Sequence, residues 1–400
     1  MRRYHWAAAT LVILIAGYVI GSGGMWERIS NDFTKEDTPY GPGDFRIRNE
    51  QILSMKLTNP ETTFKHRTDE EVNANVKLEY SEHWMASPAE RANRRTVRIL
   101  SGSLEEGVER RFEEPAQQAD WWLSPDWNTL YLATGWSDRT TNKPAGQRYR
   151  PQATQLFKST DQGESWEKLR WPEDQNISAF RFIDAQRGYL IGWGPHVWRT
   201  ESGGEHWEEI PVPAEARDPE NERERFDLVA LGQDNVLRMA FFDQARGESV
   251  IYALPWGETE PRFEVAIGDY GVNDIAANEQ GEVYILARKG RPRSLMPKEQ
   301  LVHHPTSIWH WNGDQLTELH EFDSDLVGYA LYITPEEGLL FDGVNEGSLL
   351  GKDVTAVSYD GGADWRIEDE GRSAQGGYYD TRTGERWRVA GYSLYRREIP

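Results

Sequence analysis

No cysteine occurs anywhere in the 400 residues. Disulfides, thiolate metal sites, a thiol nucleophile and a lipoprotein anchor are thereby excluded, while the redox compartment stays open. Positive charge is scarce too: 45 Lys and Arg stand against 66 Asp and Glu, a formal net charge of −21. A nucleic-acid binder wants a basic surface, so DNA and RNA are not expected partners. The same balance disfavours docking on anionic lipid. Helical periodicity is nearly absent, with Ser87 to Arg95 the one stretch that reads as helix after the N-terminus. No P-loop, dinucleotide glycine motif or G-x-S-x-G sequence is present, which removes the chemistries those motifs carry. His303 and His304 are adjacent, so on a strand they point to opposite faces, and no third ligand is suitably spaced. Neither a metal nor a cofactor is expected.

One long apolar run exists. Met1-Arg2-Arg3 is a basic head, and Trp6 to Trp26 carries no charge. At 1.5 Å per residue that run would span about 31 Å as a helix, close to one hydrocarbon core. Trp6 and Trp26 bracket it where interfacial aromatics are enriched. The spacing predicts a transmembrane signal-anchor over residues 1–26, with cleavage as a signal peptide the alternative. Arg2 and Arg3 place the N-terminus inside, so the body lies outside the cytoplasm. In a bacterium that is the periplasmic side of the inner membrane, or the outside if the segment is cleaved. Residues 27–43 are polar, with Pro39, Gly41, Pro42 and Gly43, and read as a linker.

Three short stretches share one spelling. Ser159-Thr160-Asp161-Gln162-Gly163-Glu164-Ser165-Trp166 reads S-x-D-x-G-x-x-W, and Ser358-Tyr359-Asp360-Gly361-Gly362-Ala363-Asp364-Trp365 repeats it in full. Thr200-Glu201-Ser202-Gly203-Gly204-Glu205-His206-Trp207 is a weaker copy, with Thr for the first Ser and Ser for Asp. Each suits a hairpin turn. The Asp accepts backbone N–H bonds inside the turn, the Gly takes the positive φ that a tight turn needs, and the Trp packs back across it from the outgoing strand. The pattern resembles the Asp-box, or BNR repeat, of β-propellers such as sialidases, sortilin-type receptors and photosystem II assembly factors. The resemblance covers roughly residues 118 to 370 and implies an all-β propeller of four-stranded antiparallel blades. It implies little about activity, because enzymes and non-enzymes share the device.

Spacing agrees. Asn128, Gly188, Asn235, Gly281, Gly338 and Gly384 each precede an apolar strand, at intervals of 60, 47, 46, 57 and 46 residues, which is the range of one blade per repeat. The clearest repeat places strands at Ile177 to Ile183, Tyr189 to Trp193, Val197 to Thr200 and Trp207 to Ile210. Six repeats fit from about residue 118 to the end. The last, Tyr378 to Glu398, is too short for four strands, and Phe45 to Leu57 is expected to supply its missing one. Residues 76–114 would make a further blade, so seven blades are preferred over six across residues 44–400.

In such a fold the first-to-second and third-to-fourth strand turns share one face, and the second-to-third loops share the other with the blade connections. Two of those loops are basic. One holds Arg139, Lys143, Arg148 and Arg150 against Asp138, a net of +3. The next holds Arg288, Lys289, Arg291, Arg293 and Lys298 against Glu299, a net of +4. These side chains are the expected binding residues, for an acidic partner surface or an anionic ligand. The expected role is binding of a protein partner through the loop-rich face, in the manner of an assembly factor, a receptor or a toxin-immunity protein. The alternative that the resemblance implies is a sialidase-like glycoside hydrolase acting on an anionic sugar. There Arg46, in Phe45-Arg46-Ile47-Arg48, would meet the substrate carboxylate, although the family motif has Pro where Arg48 stands. Asp69 would be the acid/base. No tyrosine sits in a convincing nucleophile motif, which leans the reading away from catalysis.

Overall fold

The computed structural model describes residues 27–30, 45–48, 51–58, 96–103, 107–115, 118–137, 151–171, 177–192, 196–213, 228–243, 245–290, 305–322, 325–345, 352–371, 374–390 and 393–399. Every described element is a β-strand. Strand β1 is Glu27–Ser30. A first sheet follows, β2 (Phe45–Arg48), β3 (Gln51–Thr58), β4 (Thr96–Ser103) and β5 (Gly107–Pro115), and a second, β6 (Gln118–Leu123), β7 (Leu130–Ser137), β8 (Pro151–Ser159) and β9 (Glu167–Leu169). The third is β10 (Ile177–Phe182), β11 (Gly188–Gly192), β12 (Val197–Thr200) and β13 (Glu208–Ile210). The fourth is β14 (Leu228–Leu231), β15 (Val236–Asp243), β16 (Glu248–Pro255) and β17 (Arg262–Gly268). The fifth comprises β18 (Tyr270–Ala277), β19 (Val283–Lys289), β20 (Thr306–Trp311) and β21 (Leu316–Glu321). The sixth comprises β22 (Leu326–Ile333), β23 (Leu339–Asn345), β24 (Lys352–Ser358) and β25 (Arg366–Gly371). The seventh is β26 (Ala374–Asp380), β27 (Glu385–Ala390) and β28 (Ser393–Glu398), with β1 paired onto β28 as its fourth strand.

All described pairings are antiparallel, and all but that of β1 with β28 join strands consecutive in the chain. The sheets fall into two compact units. Residues 45–226, with the turn 257–261, hold the first three sheets, and residues 227–256 and 262–400, with β1, hold the other four. Apolar side chains alternate along the strands and pack between the faces of successive sheets. In the first unit Ile99 meets Trp121, Leu130 and Phe157, and the ring of Tyr131 stacks on Phe182 at 3.9 Å. In the second unit Ile251, Val265 and Ile267 pack with Val272, Ile275 and Ile285, and Leu286 and Ile308 pack with Leu331, Phe341 and Ala356. Trp121 is buried and Trp122 lies against Tyr131 and Phe182, so both are packing residues rather than an exposed platform.

Three expectations change. Glu27–Ser30, read as the start of a linker, is a strand. It completes the seventh sheet, a place expected for Phe45 to Leu57. That stretch is instead a hairpin, β2 and β3, which opens the first sheet with β4 and β5. The expected transmembrane segment and the helix at Ser87 to Arg95 lie outside the described residues. Among those described, no helix is long and apolar enough to cross a membrane.

The repeated spelling builds one turn three times. In the second sheet Ser159 Oγ donates to Asp161 Oδ1 at 2.7 Å and accepts the Gly163 N–H at 2.8 Å. Asp161 Oδ1 accepts the Ser165 N–H at 2.9 Å, and Trp166 Nε1 donates to the Gly163 carbonyl at 2.9 Å. The sixth sheet repeats this with Ser358, Asp360, Gly362, Asp364 and Trp365. In the degenerate copy Thr200 Oγ1 accepts the Gly204 N–H and Ser202 Oγ stands in for the carboxylate, accepting the His206 N–H at 2.9 Å. That weaker turn is braced from the neighbouring sheet, where Tyr131 Oη and Lys158 Nζ donate to the Gly203 carbonyl at 2.8 and 3.1 Å.

In the second and third sheets the turn also bonds the first-to-second strand turn of its own sheet. Gln162 N donates to Asn128 O, and Gly203 N to Gln186 O. The two kinds of turn therefore share a side, hereafter the turn side, and the second-to-third connections define the loop side.

The Ser165 hydroxyl and N–H, then the Ser159 hydroxyl, hold the Asp161 carboxyl below its usual value, and the Asp364 N–H followed by the Ser358 hydroxyl does the same for Asp360. Groups with depressed folded pKa values contribute stability above the unfolded value, lost as pH falls through the folded one. Asp161→Asn is accordingly expected to lower the melting temperature at pH 7 and leave partner affinity intact. Calorimetry beside a binding isotherm reads both, and lost binding with unchanged stability would contradict a purely structural turn.

Candidate functional site

On the loop side of the second unit, the fifth and sixth sheets meet in a polar cluster built from four chain segments. β18 carries a bulge: Val272 faces Ala287 and Asp274 faces Leu286, leaving Asn273 as the extra residue. β22 carries another, with Tyr329 extra between Gly328 and Ala330. Bulges re-aim side chains and disrupt local pairing, and here each supports the other. Asn273 Nδ2 donates to the Gly328 carbonyl at 2.8 Å, and Asp274 Oδ2 accepts the Leu331 N–H at 2.7 Å. Thr306, fully buried at the start of β20, donates its hydroxyl to the Leu326 carbonyl at 2.6 Å and accepts the Gly328 N–H at 3.3 Å. Gly328 must lack a side chain, because a Cβ would lie 2.8 Å from Leu286 Cδ1. The result is a rigid bulge that leaves Tyr329 42% exposed, a large apolar side chain in solvent. The second unit's Asp274 has a counterpart in the first, where Asp120 Oδ2 on β6 accepts the Phe180 N–H of β10 at 3.4 Å.

The same side holds two of the expected binding residues. Arg288 lies opposite Gly271 on β18 and Thr306 on β20, half-buried, and Lys289 is exposed at the end of β19. The stem of the connection they lead into is fixed by successive backbone bonds. Gly247 N donates to Asp243 O, Asp269 N to Gly247 O, Gly290 N to Asp269 O, and Lys289 N to Pro305 O. Gly247, Asp269 and Gly290 all have positive φ, at 70°, 60° and 90°. Around them Arg246 lies 3.6 Å from Asp243 and 3.5 Å from Glu248. The described part of this rim is thus of mixed charge, with Asp243, Glu248 and Asp269 beside Arg246, Arg288 and Lys289. The expected positive excess rests on Arg139, Lys143, Arg148, Arg150, Arg291 and Arg293, which lie outside the described residues, as does Asp69. Arg46 stands on β2 opposite Leu53. Among the described residues no group of His, Cys, Asp and Glu could hold a metal ion. Asn273, Asp274, Thr306 and Tyr329 were not singled out by sequence reasoning. Their only signal was the polar pair Asn273-Asp274 inside an otherwise apolar strand.

No protein-family model matches the chain, and no curated protein matches it by sequence. Solved structures do resemble it. An ulvan lyase of a polysaccharide lyase family, bound to -[GlcA(1-4)Rha3S]-, aligns at 10% identity over 93% of this chain and 95% of its own, with a TM-score of 0.52. The β-propeller domain of the Trilobed protease from Pyrococcus furiosus, of open velcro topology, aligns at 12% identity over 91% and 97%, with a TM-score of 0.50. YCF48 bound to a D1 peptide aligns at 11% identity over 76% and 87%, with a TM-score of 0.47. At such identities the first two likenesses show the fold alone: a β-propeller of four-stranded antiparallel blades.

Proposed function

We propose that this propeller is a membrane-anchored, exported binding platform that engages a protein partner through its loop side. One observation carries the reading. The first-to-second and third-to-fourth turns are at most seven residues long, and in the second and third sheets they are hydrogen-bonded to each other, whereas the long connections at 59–95, 138–150 and 290–305 join second to third strands and those at 31–44 and 211–227 join one sheet to the next. Rigid sheets that present variable loops on one side are the usual arrangement of a binding surface. Two of those connections, one in each unit, are basic in a chain of net charge −21, so the partner surface that each would fit is acidic. Residues 1–26 serve as the anchor, and the domain works on the periplasmic side of a bacterial inner membrane. Assembly, receptor and toxin-immunity roles all use such a platform.

The test is charge reversal in the 290–305 connection. A partner recovered from the native envelope is expected to bind Arg291→Glu/Arg293→Glu at least about tenfold more weakly, with a shallower salt dependence, as for charges at an interface rim. Unchanged affinity would remove the loop side from the interaction.

A further inference from the structure

The position of β1 carries an orientation. Register fixes its direction: Glu27 lies opposite Arg396 and Ser30 opposite Leu394. β28 itself runs toward the turn side, because Glu398 faces Glu385 and the Ile399 N–H bonds the carbonyl of Gly384, the last residue of the turn between β26 and β27. β1 therefore enters from the turn side and runs toward the loop side. Its first residue, Glu27, directly follows Trp26, the end of the apolar run, so no linker separates the two and their Cα atoms are about 3.8 Å apart.

We infer that the second unit sits on the membrane surface in a fixed orientation, its turn side toward the lipid headgroups, with the seventh sheet nearest. This rests on the reading of residues 6–26 as a membrane anchor. A chain leaving the bilayer at Trp26 and joining a sheet edge one residue later leaves the turn side of that edge no room to stand away from the headgroups. The loop side lies about 20 Å further out, at about 3.3 Å per strand residue. Charge is favourable by a small margin: with the buried Asp380, Arg386 and Arg397 set aside, Arg28, Arg382, Arg388 and Arg396 stand against Glu27, Glu385 and Glu398 across β1 and β26 to β28 with the turn between β26 and β27, a net of +1 in a chain of −21. This sheet is thus an exception to the acidity that sets the chain as a whole against anionic lipid. Tyr359, in the turn that ends β24 on the same side, is 54% exposed, and tyrosine is enriched at headgroup level. The 290–305 connection of the same unit would then lie on the side away from the membrane.

The absence of native cysteine makes the test direct. Single-cysteine variants of the full-length protein, labelled with a fluorophore and reconstituted into phosphatidylethanolamine–phosphatidylglycerol vesicles, are exposed to a headgroup-borne quencher. Thr383→Cys and Tyr359→Cys report the turn side, and Arg246→Cys and Lys289→Cys the loop side. With about 20 Å between the two sides, quenching is expected to be at least about two-fold greater at the first pair. Equal or reversed quenching in protein that floats with the vesicles would overturn the orientation and leave the anchor standing. Protein that does not float would overturn the anchor, and the orientation with it. A Gly/Ser insert of about twenty residues between Trp26 and Glu27, about 25 Å in r.m.s. length, is expected to abolish the difference. Its persistence would overturn the tether as the cause.

Discussion

Gly362→Ala is expected to lower the free energy of unfolding by about 3 kcal/mol, from left-handed backbone strain and overpacking, while Gly361→Ala, one residue earlier, costs only about 1–2 kcal/mol from the backbone alone. Both glycines have positive φ, +73° at Gly361 and +98° at Gly362. At Gly361 a Cβ meets nothing within 4 Å, so strain is the whole effect. At Gly362 the Cβ would lie 2.8 Å from Leu319 Cδ1 and 3.3 Å from Leu339 Cδ1. Leu319 belongs to the fifth sheet and packs against the core it shares with the sixth, so relief means turning its side chain out of that packing. Urea unfolding of the two variants side by side separates backbone strain from sheet contact. Equal shifts in midpoint would mean that the turn does not bear on its neighbour.

That contact explains why the turn spelling was informative about fold. A glycine needed both for positive φ and for close approach to the preceding sheet is legible wherever its Ser, Asp and Trp partners lie within a few residues. Gly204 shows the same logic, with a Cβ that would lie 2.7 Å from Leu169 Cδ1. Features held by distant partners were not legible. β1 has a single aliphatic residue, Ile29, in Glu27-Arg28-Ile29-Ser30, and it is a strand because β28 lies beside it, more than 360 residues on in the chain. The hairpin between Arg48 and Gln51 carries no glycine, so β2 and β3 read as one run. Asn273 and Asp274 are visible as polar residues, but the groups they hold, the Gly328 carbonyl and the Leu331 N–H, lie 55 and 57 positions away. The site was legible only in its charges, which belong to the connections, and not in the scaffold that places them.

The same limit applies to the buried charges of the fourth sheet, whose loss is the second large effect expected. Arg238 on β15 is buried, donating through Nη2 to Asp234 at 2.8 Å and through Nε to Glu264 at 3.0 Å. Glu264 reaches it because β17 is bulged: Ile251 faces Val265 and Tyr252 faces Phe263, leaving Glu264 extra and turned inward. Burial holds the Glu264 carboxyl above its usual value, against the pull of Arg238. Arg238→Met removes the cation and strands two neighbouring carboxylates, so unfolding free energy at pH 8 is expected to fall by about 3–5 kcal/mol, the usual cost of breaking a buried ion pair. The loss depends on pH with a definite sign. Without Arg238 the Glu264 carboxyl keeps the burial that raises it and loses the cation that lowers it, so it titrates higher in the folded state than in the unfolded chain. The folded state then binds more protons through that window, and its stability falls as pH rises. Lowering pH from 8 to 5 is therefore expected to return part of the loss in Arg238→Met and far less in the wild type. Adding Asp234→Asn and Glu264→Gln to Arg238→Met removes both stranded carboxylates, the titrating Glu264 among them, and is expected to flatten that pH dependence. Urea midpoints across pH 5 to 8 read both. A deficit independent of pH would mean that the methionine fails by packing rather than by leaving charge unpaired.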